Sequence, residues 1–451
     1  MRHFLLQIFA LSLIFLMVFS CSKKESKEST EAKQTISEDS LLTLLQYQTF
    51  NYFWDGAEPV SGLARERLHM DNIYPTSPAS TVTSGGSGFG LMAILVGIER
   101  GFITREQAVE RYEKILDFLE AADTFHGVFP HWWNGETGKV LPFSQKDDGG
   151  DLVETAFLIQ GLLTVRQYFV DGNKREQAVI DRIDRIWKAV EWDWHTQGGK
   201  NVLYWHWSPN YDWDMDFAVH GYNECLIMYV LAAASPTHGV DASVYHEGWA
   251  GNGEIVMDST MYGYDLVLDH YNNDEKNVGP LFWAHYSYLG LDPRGLKDQY
   301  GDYLTLNQSH AKIHYEYCLE NPERFEGYGK NLWGLTSSYS MKGYAGHRPG
   351  KDLGVISPTA ALSSMPYTPV ETMQMIRWLY EPSRDSLIGK YGPYDAFSLE
   401  HDWYVPRYLA IDQGPIPVMI ENHRSGLLWR LFMSAPEIQT GLDKLGFSYE
   451  K

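Results

Sequence analysis

The sequence predicts an all-α fold, a toroid of inner and outer helices forming an (α/α)6 barrel with long loops and minor short strands. Three observations predict it. Helical periodicity recurs along most of the chain, whereas period-two alternation over four or more residues is scarce. The helical segments fall into two kinds, apolar nearly all round or amphipathic. The all-round apolar segments also open after similar small or polar clusters at nearly regular intervals.

The chain has 451 residues, and its start is not fold. Arg2 and His3 precede an apolar run, Phe4 to Phe19, broken only by Gln7 and Ser12. At about sixteen residues the run is short for a membrane-spanning helix and suits a signal-peptide core. Val18-Phe19-Ser20-Cys21 resembles a bacterial lipobox, although Phe19 is bulky there. Residues 1–20 therefore read as a signal peptide and Cys21 as a lipidated mature N-terminus, the alternative being an ordinary signal peptide with an incidental cysteine. Residues 21–39 are rich in Ser, Lys, Glu and Thr; they have too little apolar surface to offset the entropy of ordering and read as a flexible tether. The expectation is an exported lipoprotein, held to a membrane only by its lipid and facing the periplasm or the cell exterior.

Residues 40–451 contain no linker-like stretch and read as one domain. Helical patterns cover Leu41 to Trp54, Gly88 to Arg100, Arg105 to Ala121, Leu152 to Val170, Arg175 to Val190, Tyr222 to Ala234 and Pro280 to Leu289. They continue through Thr305 to Leu319, the short Thr359 to Ser364, Pro369 to Tyr380, Val418 to Phe432 and Pro436 to Leu445. Lys139 to Phe143 and Asn201 to Trp205 alternate like strands. The segments starting at Gly88, Leu152 and Tyr222 are apolar nearly all round, as expected of inner helices, while Arg105 to Ala121 and Arg175 to Val190 carry a charged face. The clusters before the inner segments place Gly85, Gly149 and Gly221 at intervals of 64 and 72 residues, room for an inner helix, an outer helix and a return loop. All inner N-termini would then face one end, where a cleft is expected.

The net charge of −21 repels nucleic acid, acidic polysaccharide and anionic lipid, and is compatible with a neutral substrate. Aromatic residues make up 14% of the chain, many in polar Gly-rich stretches where their rings can pack on sugar faces. The expected partner is a neutral polysaccharide or oligosaccharide, and the protein is expected to be a monomer. Cys225 and Cys318 sit in apolar helical contexts and read as core residues, not a disulfide framework.

Cleavage of a glycosidic bond needs a carboxylic acid to protonate the leaving oxygen and a carboxylate to activate water or attack the sugar. Asp147-Asp148-Gly149-Gly150-Asp151-Leu152-Val153-Glu154 offers four acids in eight residues. Asp151 and Glu154 share a helix face, but the same spacing is that of a capping box. Glu224 starts an apolar helix, where a glutamate also complements the helix dipole. Asp412 lies in a Gly/Pro-bent loop before another apolar helix, which it could equally cap; Glu421 follows within that helix. Trp132, Trp133, Trp205, Trp207, Trp213 and Trp403, with His131 among them, are candidate sugar platforms. Gly85-Gly86-Ser87-Gly88-Phe89-Gly90 fits no nucleotide-loop or nucleophile-elbow spacing and reads as a site of close helix packing. His310 and His314 have the i, i+4 spacing of zinc ligands but lack the accompanying glutamate and a third ligand, so no metal is expected.

Taken together, Asp147 to Thr155, Gly221-Tyr222-Asn223-Glu224 with Ser235-Pro236-Thr237-His238, and Ile411-Asp412-Gln413-Gly414-Pro415 through Glu421-Asn422 resemble the glucoamylase-like domain family. Within it the chain is similar to the bacterial endo-β-1,2-glucanases of glycoside hydrolase family 144, from about Ser40 onward. The resemblance implies an (α/α)6 fold, no metal or other cofactor, and inverting hydrolysis of β-1,2-glucan to sophoro-oligosaccharides. It marks Asp147, Asp151, Glu154, Glu224 and Asp412 as functional without fixing every role. An inverting pair needs about 6.5–9.5 Å between carboxyls, more than the Cβ spacing of about 5–6 Å at i, i+3. Glu224 is therefore expected as general acid and Asp412 as general base, with Asp151 and Glu154 tuning pKa and holding hydroxyls, and Asp147 and Glu421 binding sugar. The competing expectations are a non-catalytic glycan-binding lipoprotein, a hydrolase of another glucan linkage, and a uronate lyase, which would need an Arg- and Lys-lined cleft.

Overall fold

In the computed structural model, residues 36–74, 77–270 and 277–449 are described. The leader, Cys21 and residues 22–35 of the expected tether lie outside them, while its last two residues, Glu38 and Asp39, open the first helix. From Glu38 onward the chain forms a single unit.

Helices, in order, are α1 (Glu38–Trp54), α2 (Ser84–Glu99), α3 (Arg105–Ala121), α4 (Leu152–Tyr168), α5 (Lys174–Ala189), α6 (Leu226–Ala234) and α7 (Tyr303–Glu320). They continue as α8 (Pro358–Ser363), α9 (Pro369–Leu379), the single turn α10 (Ala410–Gln413), α11 (Pro415–Arg424), α12 (Leu427–Met433) and α13 (Pro436–Leu445). Five are inner helices. α6 and α8 are buried throughout, α2 and α4 along nearly their whole length, and α11 from Pro415 to Asn422. The sixth inner position is taken by two 3-10 turns, Leu281–Ala284 and Ser287–Leu289. Around them α1 packs on α2 and α11, α3 on α2, α5 on α4, α13 on α6, α7 on the Leu281–Ala284 turn, and α9 on α8. Six inner and six outer members make the (α/α)6 toroid.

The outer helices follow local rules. α3 and α5 open with capping boxes, Thr104 with Gln107 and Asn173 with Glu176. Arg182 on α5 reaches Asp117 and Glu120 on α3, each at 2.7 Å. The inner pair α2 and α4 cross closely through Gly88 and Gly161: a side chain at Gly88 would collide with the Phe157 carbonyl, and one at Gly161 with the Gly88 carbonyl. The Gly-rich run is thus a helix-packing device. Cys225 and Cys318 are free and buried in the core.

Three expected helices differ. Pro280 to Leu289 is not α-helical, because it answers to tertiary contacts: the Ser287 hydroxyl donates to the Glu224 carbonyl and accepts from the Ile227 amide at 3.0 Å. Tyr222 to Ala234 becomes helical only at Leu226; Gly221 adopts φ +81° and the Asn223 side chain accepts from the Cys225 amide at 2.9 Å. Val418 to Phe432 breaks where Gly426 takes φ +69°, dividing α11 from α12. Strands are short. Thr81–Thr83, Trp132–Asn134 and Val140–Leu141 form an antiparallel sheet, and Gly150–Asp151 pairs with His206–Trp207. Arg67–His69 pairs with Arg407–Leu409, joining the two ends of the domain. A hairpin, Ser337–Ser340 with Gly343–Gly346, forms one lip of the cleft described next.

Candidate active site

A cleft of about 840 Å³ opens where the inner-helix N-termini converge, with Thr83, Glu154, Glu224 and Ile411 in its wall. Four short inner-ring approaches supply these residues, so the positive ends of helix dipoles point toward it.

Asp151 is the N-cap of α4. Its Oδ1 accepts from the Glu154 amide at 2.9 Å, and its Oδ2 receives His131 Nδ1 at 2.8 Å and Trp205 Nε1–H at 3.0 Å. The side chain is fully buried and does not line the cleft. Burial alone would raise its pKa, but the His131 contact and the other donors hold it below the ordinary aspartate value. Burial likewise works to lower the His131 imidazole, yet the carboxylates of Glu154, Asp151 and Asp147 overcome it and push it up to about 10. His131 is therefore an imidazolium at neutral pH, stacked on Phe143 with 4.2 Å between ring centroids, with its ring in the cleft wall.

Glu154 lies one turn into α4 and reaches the cleft. Its Oε2 accepts from the Gly85 amide at 2.9 Å and the Thr83 hydroxyl at 3.4 Å. A β-carbon at Gly85 would collide with that carboxyl, so the glycine is needed for the contact. Burial raises the Glu154 carboxyl to about 7, with His131 and the two donors opposing and Asp151 adding to the rise. Glu224 also lines the cleft. Burial raises it to about 7, against its own backbone amide and with the carboxylates of Glu154 and Asp151 adding to the rise. The two cleft carboxyls differ in support: Glu154 has donors and a nearby cation that favour its anion, whereas Glu224 has only its own amide.

Asp412 does not line the cleft. It is buried behind Tyr286, whose hydroxyl donates to Oδ1 at 3.3 Å. Its Oδ2 and Asp395 Oδ1 are both buried without any other partner, and the two carboxyls are hydrogen-bonded to one another. Burial, then Asp395, pushes the Asp412 pKa well up, so it carries the shared proton. This setting does not suit the role of base expected from sequence. Asp395 was missed because it stands alone between Tyr394 and Ala396, with no local motif to mark it.

Trp132, Trp205 and Trp403 line the cleft, as sugar platforms should. Trp133 does not: it is fully buried, its Nε1–H donating to the Asp123 carbonyl at 3.1 Å, because alternation along the Trp132–Asn134 strand turns it into the core. Trp207 and Trp213 lie away from the cleft, packed with Trp194. Glu421 is structural: Arg100 holds it through two contacts at 2.6 and 2.7 Å, and Gln46 donates to it at 3.1 Å. Asp147 is buried beside His206 Nε2 at 3.1 Å and does not line the cleft. The acidic run thus has several separate uses, Asp148 binding Asn210 at 2.6 Å and Ser208.

Two arginines missed by sequence reasoning, Arg67 and Arg407, line the cleft. Each is matched by a carboxylate, Arg67 by Glu66 at 2.8 Å and Arg407 by Asp71 at 3.0 Å, and both guanidinium groups sit over the Tyr339 ring. Their joint position depends on the pairing of Arg67–His69 with Arg407–Leu409, a contact between chain ends that no local pattern marks. His131, Asp147 and Asp151 bring ligand-type atoms within 4.8 Å of one another, but Asp151 Oδ2 and His131 Nδ1 already satisfy each other. His310 and His314 both turn Nε2 to the Gly279 carbonyl, at 2.8 and 2.9 Å, and brace that loop.

Fold and site together define the class, an (α/α)6 toroid with a carboxylate-lined cleft at the inner-helix N-termini. A family model described as "Putative glucoamylase" matches residues 216–436. A Chitinophaga pinensis endo-β-1,2-glucanase, solved with sophorotriose and glucose, is 63% identical, with 92% of this chain and 99% of that one covered and a TM-score of 0.90. A Bacteroides caccae structure described in the same words as the family model is 59% identical, covering 92% of this chain and all (100%) of that one, with a TM-score of 0.90. Exo β-1,2-glucooligosaccharide sophorohydrolase (non-reducing end) of Parabacteroides distasonis is 44% identical over 440 residues, 93% of this chain. The chain spans 60% of the length of that curated relative. The chain belongs to the glucoamylase-like family.

Proposed function

We propose that the protein hydrolyses β-1,2-glucan to sophoro-oligosaccharides as a member of glycoside hydrolase family 144, with inversion at the anomeric carbon. The observation that carries this reading is the unequal pair of buried cleft carboxyls. Glu224, raised to about 7 with no donor but its own amide, keeps a proton near neutrality. Glu154 accepts from the Gly85 amide and the Thr83 hydroxyl and lies near His131, contacts that favour its anion.

Glu224 donates its proton to the glycosidic oxygen as the bond to C1 breaks. Glu154 takes a proton from the water that attacks C1 from the opposite face. Asp151 holds His131 in place, and His131 keeps Glu154 anionic; Trp132, Trp205 and Trp403 supply faces for the sugar rings. Asp412 and Asp395 brace Tyr286 from behind. A neutral substrate fits the cleft because each of its guanidinium groups is already matched by a carboxylate, which also argues against a uronate substrate. Relatives named for this substrate support the choice of linkage, one acting internally and one from the non-reducing end. We further place the protein outside the cytoplasm, anchored through Cys21, a reading that rests on the leader sequence.

The test is incubation with a panel of β-1,2-, β-1,3-, β-1,4- and α-linked glucans followed by product analysis. Sophoro-oligosaccharides from β-1,2-glucan alone are expected. No new reducing ends from any glucan would favour a non-catalytic glycan-binding protein, and cleavage of a different polymer would move the linkage.

A further inference from the structure

A second hollow of about 620 Å³ lies outside the cleft and shares no lining residue with it. It is bounded by Glu191, Asp193, Trp194 and Gln197 from the segment that follows α5, by Trp213, and by His238 from the loop after α6. We propose that this hollow is a second binding site for a neutral glucan chain, one that holds polymer on the enzyme surface without cutting it.

The argument starts with the rings. Trp194 is 39% exposed, unusual for a tryptophan that nothing in the fold obliges to face water. His126 stacks on one of its faces, with centroids 3.9 Å apart and planes 12° from parallel, so the exposed face is the other one. Trp213 flanks it at 6.3 Å, tilted by 35°, and is itself fixed edge-on against His195 and Tyr204. Two rigid indoles side by side form a shallow apolar floor of the kind that meets the hydrogen-bearing faces of sugar rings.

The rim is polar and lacks any lysine or arginine. Glu191 uses Oε2 on His126 at 2.9 Å, and Asp193 uses Oδ1 on His238 at 3.2 Å and on the Trp194 amide at 3.1 Å. These contacts set the carboxylates in place and leave Glu191 Oε1 and Asp193 Oδ2 to accept from hydroxyl groups. With no lysine or arginine among its described lining residues, and two carboxylates on its rim, the hollow of a chain of net charge −21 disfavours an anionic ligand. Gln197, Gly198 and Gly199 run through the left-handed region at φ 52°, 84° and 90°. A β-carbon on either glycine would touch nothing within 4 Å, so the glycines serve the backbone path and keep the rim open to an extended chain.

β-1,2-Glucan as probe rests on the function proposed above; the hollow itself does not. The test is native electrophoresis through gels containing soluble β-1,2-glucan, with parallel gels containing β-1,3- and β-1,4-glucans, on a Glu224→Gln background. Kinetics are measured without that substitution, on polymer and on a short sophoro-oligosaccharide. Trp194→Ala and Trp213→Ala are each expected to weaken retardation and raise KM on polymer by roughly three- to tenfold, the scale of one lost aromatic face. kcat, and the rate on the short substrate, which also reports folding, stay unchanged. Retardation and polymer KM equal to the parent in both variants overturns the inference while hydrolysis of β-1,2-glucan stands. Trp194-dependent retardation by any neutral glucan, in a protein that cleaves no β-1,2-glucan, upholds the site and overturns the function. Loss of activity on polymer and short substrate alike makes the tryptophans part of the catalytic domain's integrity and also counts against the inference.

Discussion

Asp395 and Asp412 share one proton behind the cleft wall. Each has a buried oxygen with no other partner, and Asp395 Oδ2 accepts from the Tyr339 amide at 2.9 Å, which leaves the proton on Asp412. An amide at position 412 can donate to Asp395 as the protonated acid does. Asp412→Asn is therefore predicted to keep nearly full stability, whereas Asp395→Ala strands the Tyr339 amide and the Asp412 carboxyl. The cost for Asp395→Ala is on the order of 1–3 kcal/mol in urea unfolding. Equal losses in the two variants would exclude the shared proton.

Activity should peak near neutrality and fall on both sides. Glu154 and Glu224 are both raised to about 7 and repel one another when ionised, so they titrate as a pair whose two steps are spread around that value. Below it the pair is doubly protonated and lacks a base; above it the pair is doubly ionised and lacks an acid. A kcat/KM profile on β-1,2-glucan checks this, and a plateau from pH 5 to 9 would contradict it.

Removing the imidazolium should move one limb only. In His131→Gln the cation that favours the Glu154 anion is gone, so the acidic limb shifts upward by about one pH unit while the alkaline limb stays. The same residue has a stability signature. Its pKa rises from 6.5 unfolded to about 10 folded, so its contribution is complete below about pH 6.5 and is lost as pH climbs toward 10. The stability gap between the parent and His131→Gln should close over that range in denaturant titrations.

The toroid was legible because its cause is periodic. Inner helices α2, α4 and α6 are apolar all round and outer α3 and α5 are amphipathic, patterns that survive in any single sequence. The site was legible where a residue sits at an inner-helix N-terminus, as Glu154 and Glu224 do. It was not where long-range packing decides. Glu421 has a site acid's sequence context, yet it is held by Arg100, the residue that ends α2 far earlier in the chain. Trp207 and Trp213 are half-buried and pack with Trp194 away from the cleft, a placement no local pattern marks. Asp395 meets the Tyr339 amide, and Arg67 comes to sit beside Arg407, only through pairings between distant segments.

The α2–α4 crossing is predicted to be intolerant of bulk. Gly88→Ala or Gly161→Ala places a methyl against a backbone carbonyl of the facing helix and should cost about 1–3 kcal/mol. Because Gly85 and Glu154 sit at the same crossing, activity should drop along with stability. Thermal melts and turnover measured together check this; an unchanged melting temperature would mean the helices are farther apart.

Glu224→Gln should separate stability from function. A carboxyl raised from 4.5 to about 7 on folding favours the fold only while protonated, and that contribution is lost as pH rises through this range. The glutamine variant should match the parent near pH 4.5 and exceed it at pH 8, by up to about 3 kcal/mol. Urea titrations at the two pH values measure the difference, and a variant less stable than the parent at pH 8 would contradict the burial argument.

Turnover of β-1,2-glucan by Glu224→Gln, measured beside the parent near pH 7, tests most directly whether this carboxyl is the proton donor. A loss of about 10²–10⁴-fold in a folded variant is predicted, the range for removing a general acid. Turnover within a few-fold of the parent would contradict it.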